Sequence, residues 1–416
     1  MSTVPSKREQ FQPAPSQLEA ELEAGLAGIE QAGLRRSLRL VEGAQDSRVT
    51  VDGREVLLFC SNNYLGLANH PEVTAAAASA ARTFGAGAGS SRLISGNMQA
   101  HTELEAKIAH WKQRERAVVF STGYQANVGV ITALMGRGDV VVSDELNHAS
   151  IIDGCRLSRA EVAVYRHNDV DDLRERLRSA SAGGAGRILV VTESVFSMDG
   201  DIAPLNEIAQ AARNAGAALM VDEAHAAGMF GPGGAGLVGE LGLGDAVDIH
   251  MGTLGKALGS FGAYVAGSQV LIDTLINRAR SFIFTNGLPP AAAAAASAAI
   301  DVIEREPERA RGLLTRARRL GERLRHAGLD VPHLDSQILP VLIGAPEDAV
   351  AVANTLLEHG FYVAAIRPPT VPKGTSRLRL SLMATHNEED IARMENALIE
   401  VVRDVRGNVG TGGTSS

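Results

Sequence analysis

The chain is poor in cysteine, in positive charge and in long apolar runs, and each shortage removes a class of function. Only Cys60 and Cys155 occur, and neither lies in a CxxC or Cys/His cluster. That disfavours a disulfide framework or a zinc ribbon and fits a reducing, cytoplasmic compartment. Its 40 basic residues fall short of its 48 acidic ones, a net charge of −8, which gives no electrostatic basis for binding nucleic acid or an anionic membrane. Nowhere do about 18 apolar residues follow one another, as a membrane span needs. The start "MSTVPSKREQFQPAPSQLEAELEAG" also lacks the apolar core of a signal peptide. The histidines have no partner ligands at the usual spacings, so no metal is expected. A small-molecule partner remains, in a chain of 416 residues that suits two packed subdomains.

What is present falls into blocks. Residues 1–55 read as an N-terminal arm and helix. Within them "QLEAELEAGLAGIEQAGLRRSLR" has helical spacing of Leu and Ile, and "RVTVDGREVLLFCSNNYLGL" reads as a hairpin turning at Asp52-Gly53 and running into an Asn-rich loop. Residues 56–300 read as the large domain. Short apolar runs ("RAVVFSTG", "DVVVSDE", "AEVAVYRH", "RILVVTES", "AALMVDEAH", "AVDIHMGT") alternate there with helical stretches. Such alternation predicts an α/β fold, a mostly parallel central sheet with helices on both faces. Residues 301–405 read as a smaller α+β domain, and 406–416, "RGNVGTGGTSS", as a disordered tail too poor in apolar surface to fold.

In a sheet of that kind ligands bind beyond the carboxyl ends of the strands, where most of the unusual residues fall. Lys256 in "GTLGKALG" has Gly, Leu, Ala and Thr for neighbours. A lysine in apolar surroundings loses basicity and can form a Schiff base with an aldehyde. "VDEAH" ends a strand with Asp222 and puts His225 in the following loop, a pairing of acid and imidazole that suits a pyridinium nitrogen and a neighbouring oxygen. Alone, the lysine is as well explained by solvation, and the pair by an N-capping aspartate beside a loop histidine. "FSTGYQAN" places Ser121, Gly123 and Tyr124 between a strand and a helix start, where backbone amides and the helix dipole can cradle a phosphate. His148 in "ELNHASIID" could stack on a planar ring or simply cap a helix. In "ESVFSMDGD" Ser197 is the residue aimed at a ligand, while Asp199 and Asp201 look like turn residues. "GAGAGSSRLISG" has no strand before it and no GK[ST], so it reads as a flexible loop approaching a ligand closely.

Taken in order, "SNNYLGL", "GAGAGSSRLISG", "FSTGYQAN", "NHASIIDGCRLS", "VFSMDGD", "VDEAH", "GTLGKALG", "RSFIFTN", "IRPPTVP" and "RLRLSLMATH" resemble the α-oxoamine synthases over about residues 30–400. These are pyridoxal 5'-phosphate enzymes of fold type I, the aspartate-aminotransferase-like fold. The resemblance implies that Lys256 carries the cofactor, Asp222 keeps its ring nitrogen protonated, His225 touches its phenolic oxygen and His148 stacks on the ring. It further implies that Ser197 helps hold the ring oxygen, and that Gly123, Tyr124 and Thr253 hold the phosphate, with Thr285 reaching it from the second subunit of a homodimer. Asn62 and Arg367 match positions near the amino-acid carboxylate, Thr370 a substrate contact, and Arg35 the far carboxylate of the acyl chain. "HND", "VFSMDGDIAPL" and "AIRPPTVPKGTSRLRLSL" point to L-alanine and pimeloyl-CoA or a pimeloyl-acyl carrier protein as substrates. Sister activities on serine or glycine, and a non-catalytic scaffold partner, are the alternatives. Glu223 stands where the motif commonly has a second aspartate, and "FTN" departs from the usual phosphate contact.

Overall fold

The computed structural model describes residues 16–411. Two units separate by contact density, residues 1–40 and 41–416. In the first, helix α1 (Gln17–Gln31) opens with a capping box in which Ser16 Oγ accepts from the Glu19 amide and the Glu19 carboxylate accepts from the Ser16 amide. Arg35 follows it and pairs with Glu30 at 2.7 Å.

In the second unit, β1 (Val41–Glu42), β2 (Arg48–Val51) and β3 (Arg54–Leu58) form an antiparallel meander. Asp52 and Gly53 turn it with φ of 49° and 79°, the left-handed pair that a two-residue hairpin requires. β3 then pairs in parallel with β12 (Phe361–Tyr362), Leu57 opposite Phe361. The hairpin therefore falls in the unit that begins at Val41.

The central sheet comprises β4 (Arg116–Phe120), β5 (Val140–Asp144), β6 (Glu161–Tyr165), β7 (Ile188–Glu193), β8 (Ala218–Asp222), β9 (Ile249–Thr253) and β10 (Ala263–Gly267). Their spatial order is β4-β10-β9-β8-β7-β5-β6. All neighbours pair in parallel except those of β10, which runs against both β4 and β9. Val140, Val141, Val142, Val190, Val191, Met220 and Val221 are buried, because helices cover both faces and neither parity of side chain meets water. Each of these side chains contributes about 1.5–3 kcal/mol by leaving water. β10 was absent from the sequence-based strand series, since its short run "AYVAG" follows a glycine-rich turn without a helix between.

Helices α2 (Pro71–Phe84), α3 (Gln99–Trp111), α4 (Gly123–Leu134), α5 (Ala149–Ser158), α6 (Val170–Ala182) and α7 (Leu205–Asn214) precede or link these strands. The C-terminal region adds β11 (Ile338–Gly344), β13 (Ala364–Ile366) and β14 (Ser376–Ser381) in the order β11-β14-β13. The last helix, Glu388–Thr411, runs into the stretch expected to be a disordered tail, and residues 412–416 lie outside the described residues. Among the described residues no helix is long and apolar enough to cross a membrane.

Candidate active site

The carboxyl ends of β4, β5, β7, β8 and β9 carry the candidate residues to one edge of the sheet. Asp222 closes β8, in register with Glu193 on β7 and Met251 on β9. Its Oδ2 accepts from Asn127 Nδ2 and its Oδ1 from the Ala224 amide, both at 2.9 Å. Asn127 sits one turn into α4, so the start of that helix lies directly beside Asp222. Thr122 caps α4 by accepting from the Gln125 amide. The amides of Gly123 and Tyr124 make no hydrogen bond among those of the described residues, leaving two aligned donors at the positive end of the helix.

Lys256 lies in the turn between β9 and β10. Its Nζ is 2.7 Å from His225 Nε2, and no ion pair of the described residues includes it. Burial lowers its pKa to about 8, against the opposing pull of Asp222 and Glu193. The His225 ring is itself buried, and burial, then the charges of Lys256 and Arg379, hold it neutral, well below the usual histidine range. Beyond it His225 Nδ1 meets Tyr64 Oη at 2.7 Å, and Tyr64 donates to Asn62 Oδ1 at 3.0 Å. Arg379 closes this network from β14. Its Nη2 donates to Asn62 Oδ1 and Tyr64 Oη, each at 3.3 Å, and its Nε to the Ser197 carbonyl at 2.5 Å. Asn62, Ser197, His225 and Lys256 are thus brought together, and Arg379 and Tyr64 are residues that sequence reasoning missed. Their signal was weak: Tyr64 lies within the Asn-rich loop "SNNYLGL" with no titratable neighbour in sequence, and Arg379 sits within an alternating strand, "RLRLS".

His148 caps α5: its Nδ1 accepts from the Ser150 amide at 3.2 Å and lies 2.7 Å from Ser150 Oγ. The capping role is therefore present, and the charges of Asp222 and Lys256 both act on the ring. Desolvation, with the charge of Lys256, lowers its pKa against the influence of Asp222. Glu193 is the third missed residue. It is 3% exposed, its Oε1 accepts from the His148 amide at 2.6 Å, and burial followed by the Asp222 charge raises its pKa to about 8.

Other expectations fared differently. Thr253 spends its hydroxyl on the Gly262 carbonyl at 3.1 Å and the Gly255 amide at 3.3 Å. Thr285 lies in the segment whose next residue, Asn286, accepts from Ser121 Oγ at 3.2 Å, which places it near the approach to α4. Arg367 follows β13, and its carbonyl accepts from the Thr370 amide at 3.1 Å. Arg35 belongs to the N-terminal unit. Asp199 and Asp201 are more than turn residues. Asp199 receives Arg377, and Asp201 receives His167 at 2.8 Å, so both anchor the Ser197 loop. In "GAGAGSSRLISG" a Cβ at Gly96 would lie 2.1 Å from the Ser90 carbonyl, whereas Gly85, Gly87 and Gly89 have open space. The loop is tight against itself at Gly96. His70, Glu72 and Glu306 bring ligand-type atoms within 4.8 Å of one another, but Arg305 pairs with both carboxylates and Arg309 with Glu306.

An amine of lowered basicity, a buried carboxylate and neutral imidazoles at one end, with unpaired helix-terminal amides nearby, suit an aldehyde that carries a ring nitrogen and a phosphate. Pyridoxal 5'-phosphate has that chemistry, and the residues present fit it.

The sequence profile of the aminotransferase class I and II family matches residues 54–398, and the chain belongs to that family. It is 51% identical to an 8-amino-7-oxononanoate synthase of Geobacter sulfurreducens over 91% of this chain and 97% of the relative. A second such synthase, from Anaeromyxobacter dehalogenans, is 53% identical over 93% and 95% of the two chains. Among solved structures, a serine palmitoyltransferase of Sphingomonas wittichii superposes with a TM-score of 0.88 at 35% identity, covering 94% of this chain and 99% of the other. Within the family the chain groups with the 8-amino-7-oxononanoate synthases, pyridoxal-phosphate-dependent acyltransferases of the α-oxoamine synthase type with fold type I.

Proposed function

We propose that the protein condenses L-alanine with a pimeloyl thioester, of coenzyme A or an acyl carrier protein, giving 8-amino-7-oxononanoate, CO2 and the free thiol carrier in biotin synthesis. The observation that carries this reading is Lys256, a lysine in no ion pair among the described residues, weakened by burial and held by a neutral histidine. Bound at Lys256, pyridoxal phosphate supplies the electron sink for negative charge at the amino acid's Cα. Asp222 faces the ring nitrogen and holds its proton, aimed by Asn127. Gly123 and Tyr124 offer their amides to the phosphate, with Thr253 beside them and Thr285 contributed across a homodimer. Ser197 and His225 serve the phenolic oxygen, and His148 covers the ring. With its amine free, Lys256 would take up the Cα proton, a task suited to an amine whose pKa lies near the working pH.

Arg379 and Asn62 form the carboxylate subsite, because a buried guanidinium beside an amide matches that ligand. Arg367 and Thr370 are assigned to substrate as well, and Arg35 is assigned to the acyl chain's distal carboxylate. The homodimer is supported by exposed apolar residues near these loops. Ile94 is 80% and Phe284 70% exposed, and the Ser91–Asn286 bridge brings their segments together. Two free cysteines fit a cytoplasmic home.

The test is thiol release from pimeloyl-CoA with L-alanine, L-serine and glycine in turn. Release specific to alanine supports the reading. Dependence on serine or glycine moves the protein to a sister activity, and no cofactor uptake at all makes it a scaffold.

A further inference from the structure

The two histidines of the site differ in what surrounds each ring nitrogen. At His148 the Ser150 amide points at Nδ1 from 3.2 Å. An amide can only donate, so Nδ1 carries no hydrogen. Ser150 Oγ, 2.7 Å from the same nitrogen, receives Asn127 Nδ2 at 2.9 Å and is free to give its own hydrogen to the ring. The ring is neutral at ordinary pH, which leaves its one proton on Nε2.

At His225 the accounting reverses. Nε2 faces Lys256 Nζ, a donor-only group when charged. On the other side Tyr64 Oη, which the donors Arg379 and Gln337 also approach, has one hydrogen to give, and Asn62 Oδ1 and His225 Nδ1 are the acceptors within hydrogen-bond distance of it. Asn62 Oδ1 takes it, because Arg379, which only donates, faces both that atom and Tyr64 Oη and fixes the amide with its oxygen inward. Tyr64 must then accept from His225, so the ring's proton sits on Nδ1 and Nε2 is bare.

We propose that Ser150 and Tyr64 are positioning residues that hold these histidines in opposite tautomers, His148 protonated on Nε2 and His225 on Nδ1. One ring then presents a donor to the cleft, and the other an acceptor that aims the Lys256 amine. The use of the donor on a thioester carbonyl rests on the proposed function, whereas the tautomers themselves do not.

The test is long-range 1H–15N correlation on the full-length, cofactor-free chain labelled with 15N-histidine, with His148→Asn and His225→Asn identifying the two rings. The expected result is an Nε2–H pattern for His148 and an Nδ1–H pattern for His225 near neutral pH. Tyr64→Phe shifts His225 towards the other tautomer and slows trapping of pyridoxal phosphate on the lysine about fivefold, the worth of one net hydrogen bond. Asn62→Leu keeps the tyrosine but removes its acceptor, and shifts His225 in the same direction should Tyr64→Phe fail to fold. A shared tautomer in the wild type, or an unchanged His225 pattern in both variants, overturns the proposal. Borohydride trapping of pyridoxal phosphate, read in parallel, separates the two conclusions: its loss at intact tautomers refutes the cofactor lysine and leaves the tautomers standing.

Discussion

Lys112 and Lys256 are both enclosed by protein near the end of β8, and they differ in what the enclosure provides. Lys112 leaves α3 and donates to Glu223 and to the Ala235 carbonyl, with lysine and glutamate side chains 2% and 0% exposed. Glu223 also accepts from the Val238 amide at 2.9 Å. Gly236, at φ +102°, lies so close that a Cβ there would approach Glu223 Oε1 to 2.4 Å. Both charges on that side are matched, and each carboxylate oxygen of Glu223 has a donor. Lys256 touches a neutral imidazole rather than a carboxylate, and the more distant charges of Asp222 and Glu193 do not offset the loss of basicity that burial imposes. Adjacent residues of one strand end create the contrast: Asp222 and Glu223 point to opposite sides, the first into the cleft and the second into the core. A paired lysine is a fastening, and an unpaired one is a reagent.

The largest expected effect breaks the reagent. Lys256→Ala removes the proposed covalent anchor and base together, and kcat should fall on the order of 10⁴-fold, the upper range for a positioned base. The visible absorption of lysine-bound cofactor disappears with it. An unchanged absorption band would place the cofactor elsewhere and dissolve the contrast.

Much of this arrangement could be read from the chain. Six apolar runs predicted β4 to β9, and the motifs at their ends carried Lys256, Asp222, His225 and His148. Chain-local pattern fails where partners are distant in sequence. Glu223 and Lys112 are 111 residues apart, and Arg379 reaches Asn62 across 317, so neither pairing leaves a mark in spacing. The hairpin was legible from Asp52-Gly53, but its place beside β12 was not, since parallel pairing imposes no local signature. Glu193 was passed over because its setting arises from burial and from Asp222 on the adjoining strand.

Breaking the fastening comes second. Lys112→Met leaves Glu223 buried without its cation, and unfolding free energy should drop by about 3–5 kcal/mol. Lys112→Met with Glu223→Leu removes both charges and should recover most of that loss. Denaturant titration of the cofactor-free protein reads both. A double variant no better than the single one would mean that the Val238 and Ala235 contacts, rather than the charges, hold the strand end.

The third test sharpens the contrast through pH. Capture of an aldehyde needs a neutral amine, so the rate of pyridoxal phosphate trapping should rise about tenfold per pH unit below about 8 and level off above it. Linkage gives the matching sign. Between about 8 and the ordinary lysine range the unfolded chain binds the Lys256 proton and the folded one does not, so this group adds stability as pH rises through that window. A trapping rate still climbing well above that value would show an amine of ordinary basicity, and Lys256 would lose its distinction from a solvated lysine.

The smallest effect asks whether pairing or burial makes Lys112 matter. Arg311 and Glu308 are 2.6 Å apart on the helix Glu308–His326, closely spaced but with side chains 66% and 79% exposed. Water screens such a pair, and holding two long side chains together costs entropy, so Arg311→Ala should change stability by less than about 1 kcal/mol. Its removal strands nothing, because Glu308 is hydrated either way, whereas Glu223 without Lys112 has no water to turn to. A loss at Arg311 as large as that at Lys112 would assign the fastening to ion pairing in general. A negligible one assigns it to the desolvated setting, the same setting that, with no counter-ion supplied, leaves Lys256 reactive.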